Sequence, residues 1–248
     1  DVKAKEDADH LTRDGPGPAV AAGVDVRDAA PLTALVQDTH AEHGRPDQMA
    51  NNAGTGVAGE PDELELVHWD TTIDTNLRGV IHGSHAAYPL MKQQGFGTIL
   101  NTASIAGLAP MTGQFGPYTT SKFGVVGFTV ALRAAGAEYG VHVSVLCPGW
   151  IDTPLLDAGM PEGLPTPDSM VGAPTMREAL TKAGTKLYPA DRLAEDTLRG
   201  IAKNRAILAI PGDSRALWLM ARAAPTLVIK QMTQRTEAMR RQFAPATA

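Results

Sequence analysis

Cysteine, basic charge and long apolar runs are all scarce in this chain. Its single cysteine, Cys147, cannot form an internal disulfide, so a reducing, cytoplasmic compartment is expected. The formal net charge of −5 disfavours a nucleic-acid partner, because nucleic acids bind basic surfaces. Apolar runs such as VVGFTVAL are far shorter than the roughly 20 residues that a membrane span needs. With no linker in sight, the sequence predicts a single domain over residues 1–248.

The chain does contain a regular alternation of strand-like and helix-like segments. The strand-like segments are 19–26, 47–54, 97–104, 141–149 and 206–212, and the helix-like segments are 31–44, 66–94 and 119–139. Strands separated by crossover helices predict an α/β fold, a doubly wound parallel sheet in three Rossmann-like layers. Such sheets bind ligands beyond the carboxyl ends of their strands, where the distinctive polar residues of this chain fall.

The stretch YTTSK places Tyr118 and Lys122 four residues apart at the start of a predicted helix. Side chains at this spacing share a helical face, so the phenol and the ammonium can converge. A nearby cation favours phenolate, and lowering a tyrosine pKa by ~3 units takes ~4 kcal/mol of differential interaction. Many ordinary surface helices carry the same pair, so the spacing alone leaves both a catalytic and a structural interpretation open.

Two further residues favour the catalytic interpretation. Ser104 ends a strand-like segment fourteen residues before Tyr118, and Asn76 lies in a helical stretch that asparagine does not favour. With NNAG and CPGWIDTP, this order of motifs resembles the short-chain dehydrogenase/reductase family. The resemblance implies that Tyr118 is the general acid/base and that Lys122 binds the nicotinamide ribose and lowers the tyrosine pKa. It also implies that Ser104 orients a carbonyl and that Asn76 holds a proton-relay water.

The resemblance further implies a nicotinamide cofactor. Besides Tyr118 and Lys122, the residues that it assigns to this cofactor are Asp1, Asp25, Val26, Asn52, Ala53, Gly54, Pro148, Gly149, Ile151 and Thr153. Asp1, taken as a strand-end acid, would bond the ribose hydroxyls and repel a 2′-phosphate, which predicts NAD rather than NADP. Turn geometry is an alternative explanation for Gly54 and Pro148, and helix capping is one for Thr153.

A glycine-rich phosphate loop is hard to find in this sequence. The one G-x-G-x-x-G match, GTGVAG at 54–59, leads into EPDELEL without an immediate helix N-terminus to hold a pyrophosphate. The family carries this loop after its first strand, and Asp1-Val2 resembles the end of its second strand. We therefore expect the natural protein to be longer, and the sheet of residues 1–248 to show a gap beside the segments 19–26 and 47–50, or another segment filling it.

Other kinds of site are disfavoured. The histidine pairs His40/His43 and His82/His85 have metal-compatible spacing, but no carboxylate or cysteine cluster joins them, so no metal is expected. Ser104 lies in ASIAG, which differs from the G-x-S-x-G elbow of a serine hydrolase. Cys147 is expected to be a small buried hydrophobe.

The sequence thus predicts an NAD-dependent oxidoreductase that interconverts a secondary alcohol and a ketone, with a lipophilic small molecule as substrate. The proline- and glycine-rich segment 155–190 is interpreted as the substrate loop and lid, and 213–243 as two amphipathic helices broken at Pro225. These helices pack on the sheet or a neighbour, or they cover a lipophilic substrate or lie on a membrane surface. A homodimer or homotetramer through the helix 119–139 and the one before it is expected. The alternative is a catalytically silent Rossmann-like binding or regulatory protein.

Overall fold

A computed structural model describes residues 2–15 and 17–243. Its α-helices are α1 (Val2–Asp14), α2 (Ala29–His43), α3 (Leu66–Ile73), α4 (Gly79–Gln94), α5 (Gly116–Gly136), α6 (Met176–Lys182), α7 (Ala190–Ala202), α8 (Gly212–Ala223) and α9 (Pro225–Phe243). Its strands are β1 (Gln48–Asn51), β2 (Gly97–Thr102), β3 (Val141–Pro148), β4 (Ile151–Asp152), β5 (Tyr188–Pro189) and β6 (Ile207–Ile210).

The main sheet has four parallel strands in the order β1-β2-β3-β6, and β4 pairs with β5 in a separate two-stranded sheet. Alternate residues of β3 point to opposite faces. Val143 and Val145 pack in apolar clusters with residues of α4 and α5. Leu146 pairs in register with Leu208, which meets Gly200 of α7 so closely that a Cβ on Gly200 would collide with it. Helices therefore cover both faces, and the predicted three-layer α/β fold is confirmed.

The predicted strand at 19–26 is wrong. Residues 18–25 have no regular secondary structure, and Val20 is 88% exposed. A strand needs a neighbouring strand for its backbone hydrogen bonds, and no described strand pairs with this segment. Val2 likewise begins a helix, whereas the sequence had suggested the end of a strand. In the described chain β1 pairs with β2 alone, so its other edge carries no strand, as expected for the segment 47–50.

The long helix predicted from about Leu66 to Gln94 is interrupted. A π-helical turn, Asp74–Arg78, joins α3 to α4 and carries Asn76. Gly95 ends α4 in the left-handed conformation, with φ of 78°, and its N–H caps carbonyls of the last turn. The interruption changes which way Asn76 faces, and π-turns of this kind are frequent at functional sites.

The C-terminal part contains the two predicted helices. Two helices, α8 and α9, meet at Pro225, which begins the second helix. The segment 155–190 holds short 3-10 turns, the helix α6 and the strand β5. None of the helices in 2–15 and 17–243 is long and apolar enough to cross a membrane.

Candidate active site

The carboxyl ends of three neighbouring strands bring the predicted site residues together. Residues 52–54 follow β1, Ser104 lies two residues past the end of β2, and Gly149 follows β3 directly. Because these strands are parallel and adjacent, the three segments meet at one edge of the sheet. α5 lies over β2 and β3 and delivers Tyr118 from its first turn.

Tyr118 and Lys122 share a face of α5, as their spacing predicted. The Lys122 ammonium nitrogen lies 5.6 Å from the centroid of the Tyr118 ring. Lys122 is only 3% exposed, and its Nζ donates a hydrogen bond of 3.0 Å to the carbonyl oxygen of Thr102 at the end of β2. This bond fixes the ammonium at the carboxyl edge of the sheet, beneath the phenol.

Burial acts on both of these titratable groups. It lowers the pKa of Lys122 from its ordinary 10.5 to about 8, because the ammonium loses water. The same loss of water raises the pKa of Tyr118, and the nearby Ser104 hydroxyl offsets part of that rise. The expected lowering of the tyrosine pKa by Lys122 therefore has to overcome burial. At neutral pH the protein alone holds a protonated lysine beside a neutral phenol.

Ser104 is held in place from two directions. Its Oγ accepts a 3.1 Å hydrogen bond from the N–H of Ala106, which caps the 3-10 turn Ile105–Gly107. That turn packs so closely on α5 that a Cβ on Gly107 would collide with the carbonyl oxygen of Lys122. Glycine at this position is thus needed for the close approach that brings Ser104 to Tyr118. The Ser104 hydroxyl is thereby held beside the Tyr118 hydroxyl, whose pKa it lowers in part.

Asn76 is fully buried and joins three segments. Its Oδ1 accepts from the N–H of Thr55 at 2.7 Å, and its Nδ2 donates to the Thr55 carbonyl at 2.9 Å and to the Ser121 hydroxyl at 3.1 Å. Ser121 in turn donates to the carbonyl oxygen of Tyr118 at 2.8 Å. Both amide hydrogens are used, so the side chain can hold a water only through the second lone pair of Oδ1. Asn76 positions the loop after β1 against α5.

A second polar cluster, which we call the amide cluster, lies between the same strands and helices. It consists of Asn51, Ser84, Asn101 and Thr129, all buried. The Asn51 amide donates to Ser84 at 3.1 Å and to Asn101 at 2.8 Å, and the Asn101 amide donates to Thr129 at 3.0 Å. The sequence interpretation missed Ser84, Asn101 and Thr129, although an asparagine inside the apolar strand ILNT was a signal.

The segment 52–54, which the resemblance assigns to the adenine ribose, lies beside Lys122. Asn52, Ala53 and Gly54 are exposed, and Asn52 accepts a 2.9 Å hydrogen bond from the Thr102 hydroxyl. A Cβ on Gly54 would lie 3.3 Å from Asn76 Oδ1 and 3.5 Å from Lys122 Nζ. A side chain at position 54 would therefore press on Asn76 Oδ1 and touch the lysine, so Gly54 leaves that space open. These residues fit a ribose beside the ammonium.

The loop after β3 is fixed by its neighbours. The N–H of Gly149 donates to the Ile210 carbonyl at 2.8 Å, while Ile151 pairs with Tyr188 in the small sheet. Pro148 is the last residue of β3. Thr153 makes no capping hydrogen bond with its side chain, so the capping alternative finds no support. Its carbonyl accepts from Arg177 at 3.0 Å.

The residues assigned to the adenine side are further from this cluster. Asp25 is exposed, and its carboxylate accepts from the Arg27 guanidinium at 2.6, 2.9 and 3.0 Å, which lowers the carboxyl pKa. Val26 packs on Gly79, and its carbonyl meets His82 Nδ1 at 3.0 Å. The sequence interpretation missed Arg27. Asp1 lies outside the described residues.

The GTGVAG match leads to no helix N-terminus, as predicted. The chain after it has no helix until Leu66. Gly59, its last glycine, packs against Pro167. Among residues 2–15 and 17–243, no glycine-rich turn joins a strand directly to a helix. The described residues thus fit the nicotinamide half of a dinucleotide and offer no standard pyrophosphate site.

Comparisons with known proteins agree with this geometry. The chain is 34% identical over 134 residues to D-beta-hydroxybutyrate dehydrogenase of Cupriavidus necator, covering 54% of this chain and 52% of that protein. It is 36% identical over 137 residues to levodione reductase of Leifsonia aquatica, covering 55% of this chain and 51% of that protein. The chain thus spans about half the length of these curated relatives.

A solved structure resembles most of the fold. A short chain dehydrogenase/reductase from Burkholderia phymatum in complex with NAD superposes with a TM-score of 0.77 at 28% identity, covering 90% of this chain and 82% of that one. The family described as short chain dehydrogenase matches residues 1–161, well over half of the sequence. The chain therefore belongs to the short-chain dehydrogenase/reductase family.

Proposed function

We propose that this protein is an NAD-dependent oxidoreductase that interconverts a secondary alcohol and a ketone, with Ser104, Tyr118, Lys122 and Asn76 as its catalytic residues. One observation carries the proposal. A phenol and a serine hydroxyl lie side by side at the carboxyl edge of the sheet, and a buried ammonium sits 5.6 Å from the phenol ring. This arrangement suits proton transfer to and from a carbonyl oxygen.

The proposed chemistry divides between cofactor and protein. A bound nicotinamide accepts or supplies the hydride. Ser104 donates its hydroxyl hydrogen to the substrate oxygen and orients the carbonyl. In the direction of reduction, the Tyr118 O–H gives its proton to that oxygen as charge develops on it, leaving a phenolate that solvent reprotonates. The raised pKa of Tyr118 keeps the phenol protonated for this step, and the Lys122 ammonium favours the phenolate that follows.

Several residues would hold the cofactor. Lys122 would bind the nicotinamide ribose, the exposed segment 52–54 would lie along the adenine ribose, and the residues from Pro148 to Thr153 would contact the carboxamide and diphosphate. Asp25 and Val26 would lie at the adenine edge. NAD is preferred to NADP because the relative from Burkholderia phymatum was solved in complex with NAD.

A catalytically silent Rossmann-like binding protein is the second candidate. The observation that favours it is the lack, within 2–15 and 17–243, of a glycine-rich turn between a strand and a helix.

The two candidates differ in whether the protein turns over a ketone. The full-length protein is mixed with NADH or NADPH and a panel of small ketones and oxo-esters, and cofactor absorbance is followed. We expect faster loss of absorbance with NADH, and no ketone-dependent loss with either cofactor would favour the silent protein.

The chain is proposed to act as a single domain, and as a homodimer or homotetramer through α4 and α5. A groove of about 220 Å³ runs between these helices, lined by side chains such as Ile81, Tyr88 and Phe128. Phe123 on α5 is 45% exposed, and Gly127 has open space around it. Small residues let two helix backbones approach closely.

A substitution at Gly127 tests this association. Gly127→Arg should not disturb the chain's own packing, because no atom lies within 4 Å of an added Cβ. It should convert the oligomer into a monomer in light scattering, with circular dichroism unchanged. A wild-type protein that is already monomeric at micromolar concentration would contradict the proposal.

A further inference from the structure

One arginine ties the loop after β3 to the segment 155–190. Arg177 lies in the first turn of α6, and its Nε donates to both carboxylate oxygens of Asp157, at 2.8 and 2.9 Å. Its Nη1 donates to the Asp152 carboxylate at 2.6 Å, and its Nη2 donates to the Thr153 carbonyl oxygen at 3.0 Å. A single side chain thus binds Thr153 directly and a carboxylate on either side of it.

The sequence around Arg177 fixes the helix that carries it. The Thr175 hydroxyl accepts from the N–H of Glu178 at 3.2 Å, and the Glu178 carboxylate accepts from the N–H of Thr175 at 2.9 Å, which completes a capping box. Leu180 is buried and lies three residues after Arg177, so the two side chains share a helical face. The packing of Leu180 therefore keeps the guanidinium turned toward the loop.

The exposure of these ion pairs indicates what they contribute. The Arg177 side chain is 31% exposed, and the side chains of Asp152 and Asp157 are 57% and 48% exposed. Ion pairs with this much access to water add little to the stability of a fold. A guanidinium is planar, however, and sets the direction of each bond that it donates, whereas a lysine ammonium acts as a point charge. The contacts of Arg177 therefore determine local geometry more than stability.

The same stretch of backbone is also bound by β5. Ile151 pairs with Tyr188, and the N–H of Tyr188 donates to the Trp150 carbonyl at 2.9 Å. The loop after β3 is thus bonded to two parts of the segment 155–190, α6 and β5. With its carbonyl bonded, the peptide plane after Thr153 is fixed, and the side chain of Thr153 is held in one direction.

We infer that Arg177 is a positioning residue for the nicotinamide end of the cofactor and that it acts through Thr153, whose side chain meets the carboxamide. This inference rests on the proposed function, which places the loop containing Thr153 at the carboxamide and diphosphate. The Thr153 side chain makes no capping hydrogen bond to the turn Pro154–Leu156. Loss of Arg177 should therefore weaken the binding of the nicotinamide ring and spare the rest of the dinucleotide.

The experiment compares NADH with ADP-ribose, which has both riboses and the diphosphate but no nicotinamide. Calorimetry on the full-length protein gives both dissociation constants. Arg177→Gln should weaken NADH binding about fivefold, roughly the worth of one neutral hydrogen bond, and change ADP-ribose binding by less than about twofold. Arg177→Lys should lose nearly as much affinity for NADH, because an ammonium that pairs with one carboxylate no longer holds Thr153. Without cofactor, the backbone amides around Thr153 should exchange hydrogen faster in both variants.

Arg45→Gln is the matched control. Arg45 forms an ion pair with Asp47 at 3.2 Å just before β1, at the opposite end of the sheet from the candidate site, so neither affinity should change. Unchanged NADH affinity in both Arg177 variants, or an equal loss for NADH and ADP-ribose, would overturn the inference. A wild-type protein that binds neither compound would overturn the proposed function with it. The expected pattern of binding without turnover of any ketone would support the role of Arg177 and count against the proposed oxidoreductase activity.

Discussion

Two polar clusters lie a few residues apart along the same strands, and they use burial in opposite ways. The amide cluster is neutral, and its buried amides and hydroxyls bond to one another. The cluster of Ser104, Tyr118 and Lys122 contains groups that can carry charge, and burial shifts their pKa values. Burying neutral polar groups costs little folding free energy when each of them has a hydrogen-bond partner. Burying a charge costs more, and the packing of the rest of the fold must offset that cost.

The two clusters should therefore have different roles in the protein. The amide cluster joins β1 and β2 to α4 and α5, so it should determine stability. The cluster of Ser104, Tyr118 and Lys122 holds hydroxyls that can donate to a substrate and groups whose pKa burial has shifted. It should therefore determine the rate of turnover. Cys147 belongs to neither cluster. Burial raises the pKa of its thiol to about 12, so the thiol stays neutral.

Tyr118→Phe is the strongest test of this division. It removes the proposed proton donor and keeps the ring, so turnover should fall by at least ~10² while NADH binding stays nearly intact. The free energy of unfolding should change by less than ~1 kcal/mol, because a phenol and a phenyl pack alike. Steady-state kinetics and urea unfolding of the full-length protein measure both. Wild-type turnover in the variant would falsify the role of Tyr118.

Asn101→Ala should have the opposite profile. It removes the buried hydrogen bonds that Asn101 makes with the Asn51 amide and the Thr129 hydroxyl, which should lower the free energy of unfolding by about 2–3 kcal/mol. Turnover of the folded fraction should remain within a few fold of wild type. Urea unfolding gives the first quantity, and kinetics at low temperature gives the second. Loss of turnover without loss of stability would contradict the assignment of the amide cluster to stability.

Lys122→Met should change the dependence of stability on pH. The folded pKa of Lys122 is about 8 against an ordinary 10.5, so the unfolded chain binds more protons between these values. Stability from this group therefore rises with pH, by ~2 kcal/mol between pH 7 and pH 9.5. The wild type should gain this amount relative to the variant in denaturant titrations across that range. If the free energies of unfolding of the two proteins changed in parallel with pH, the Lys122 ammonium would not be desolvated in the folded protein.

Thr102→Val should have the smallest effect. Its hydroxyl donates to Asn52 at the exposed edge between the clusters, where water can replace the lost bond. The expected loss is below ~1 kcal/mol in urea unfolding. Asn52→Ala removes the same bond from the other side and serves as the control. If Thr102→Val lowered the free energy of unfolding as much as Asn101→Ala does, exposed and buried hydrogen bonds would contribute equally to stability in this protein.

Much of the fold was predictable because strand and helix periodicities are local. The strands β2, β3 and β6 and the helix α5 match segments that the sequence marked. The segment 19–26 shows the limit, since an apolar run predicts a strand only where a neighbouring strand exists to pair with it. Local sequence does not reveal which neighbour the fold provides. The helix α1 was not predicted either.

The candidate site was predictable in its residue types and less so in its contacts. The spacing of Tyr118 and Lys122 follows from helix geometry alone. The hydrogen bond from Lys122 to Thr102 depends on how α5 sits on β2, which only the packed structure shows. The collision that requires Gly107 is of the same kind, because it arises between segments that are distant from one another until the chain folds.

The π-helical turn Asp74–Arg78 has a consequence for changes in chain length. A π-turn holds an extra residue compared with a regular helix, in which each residue advances by about 100°. Deleting one residue from this turn would let α3 and α4 fuse into one continuous α-helix. Asn76 would then rotate away from Thr55 and Ser121 although every contacting side chain remained in the sequence. Insertions and deletions in this stretch should therefore be tolerated far less than substitutions at its exposed positions.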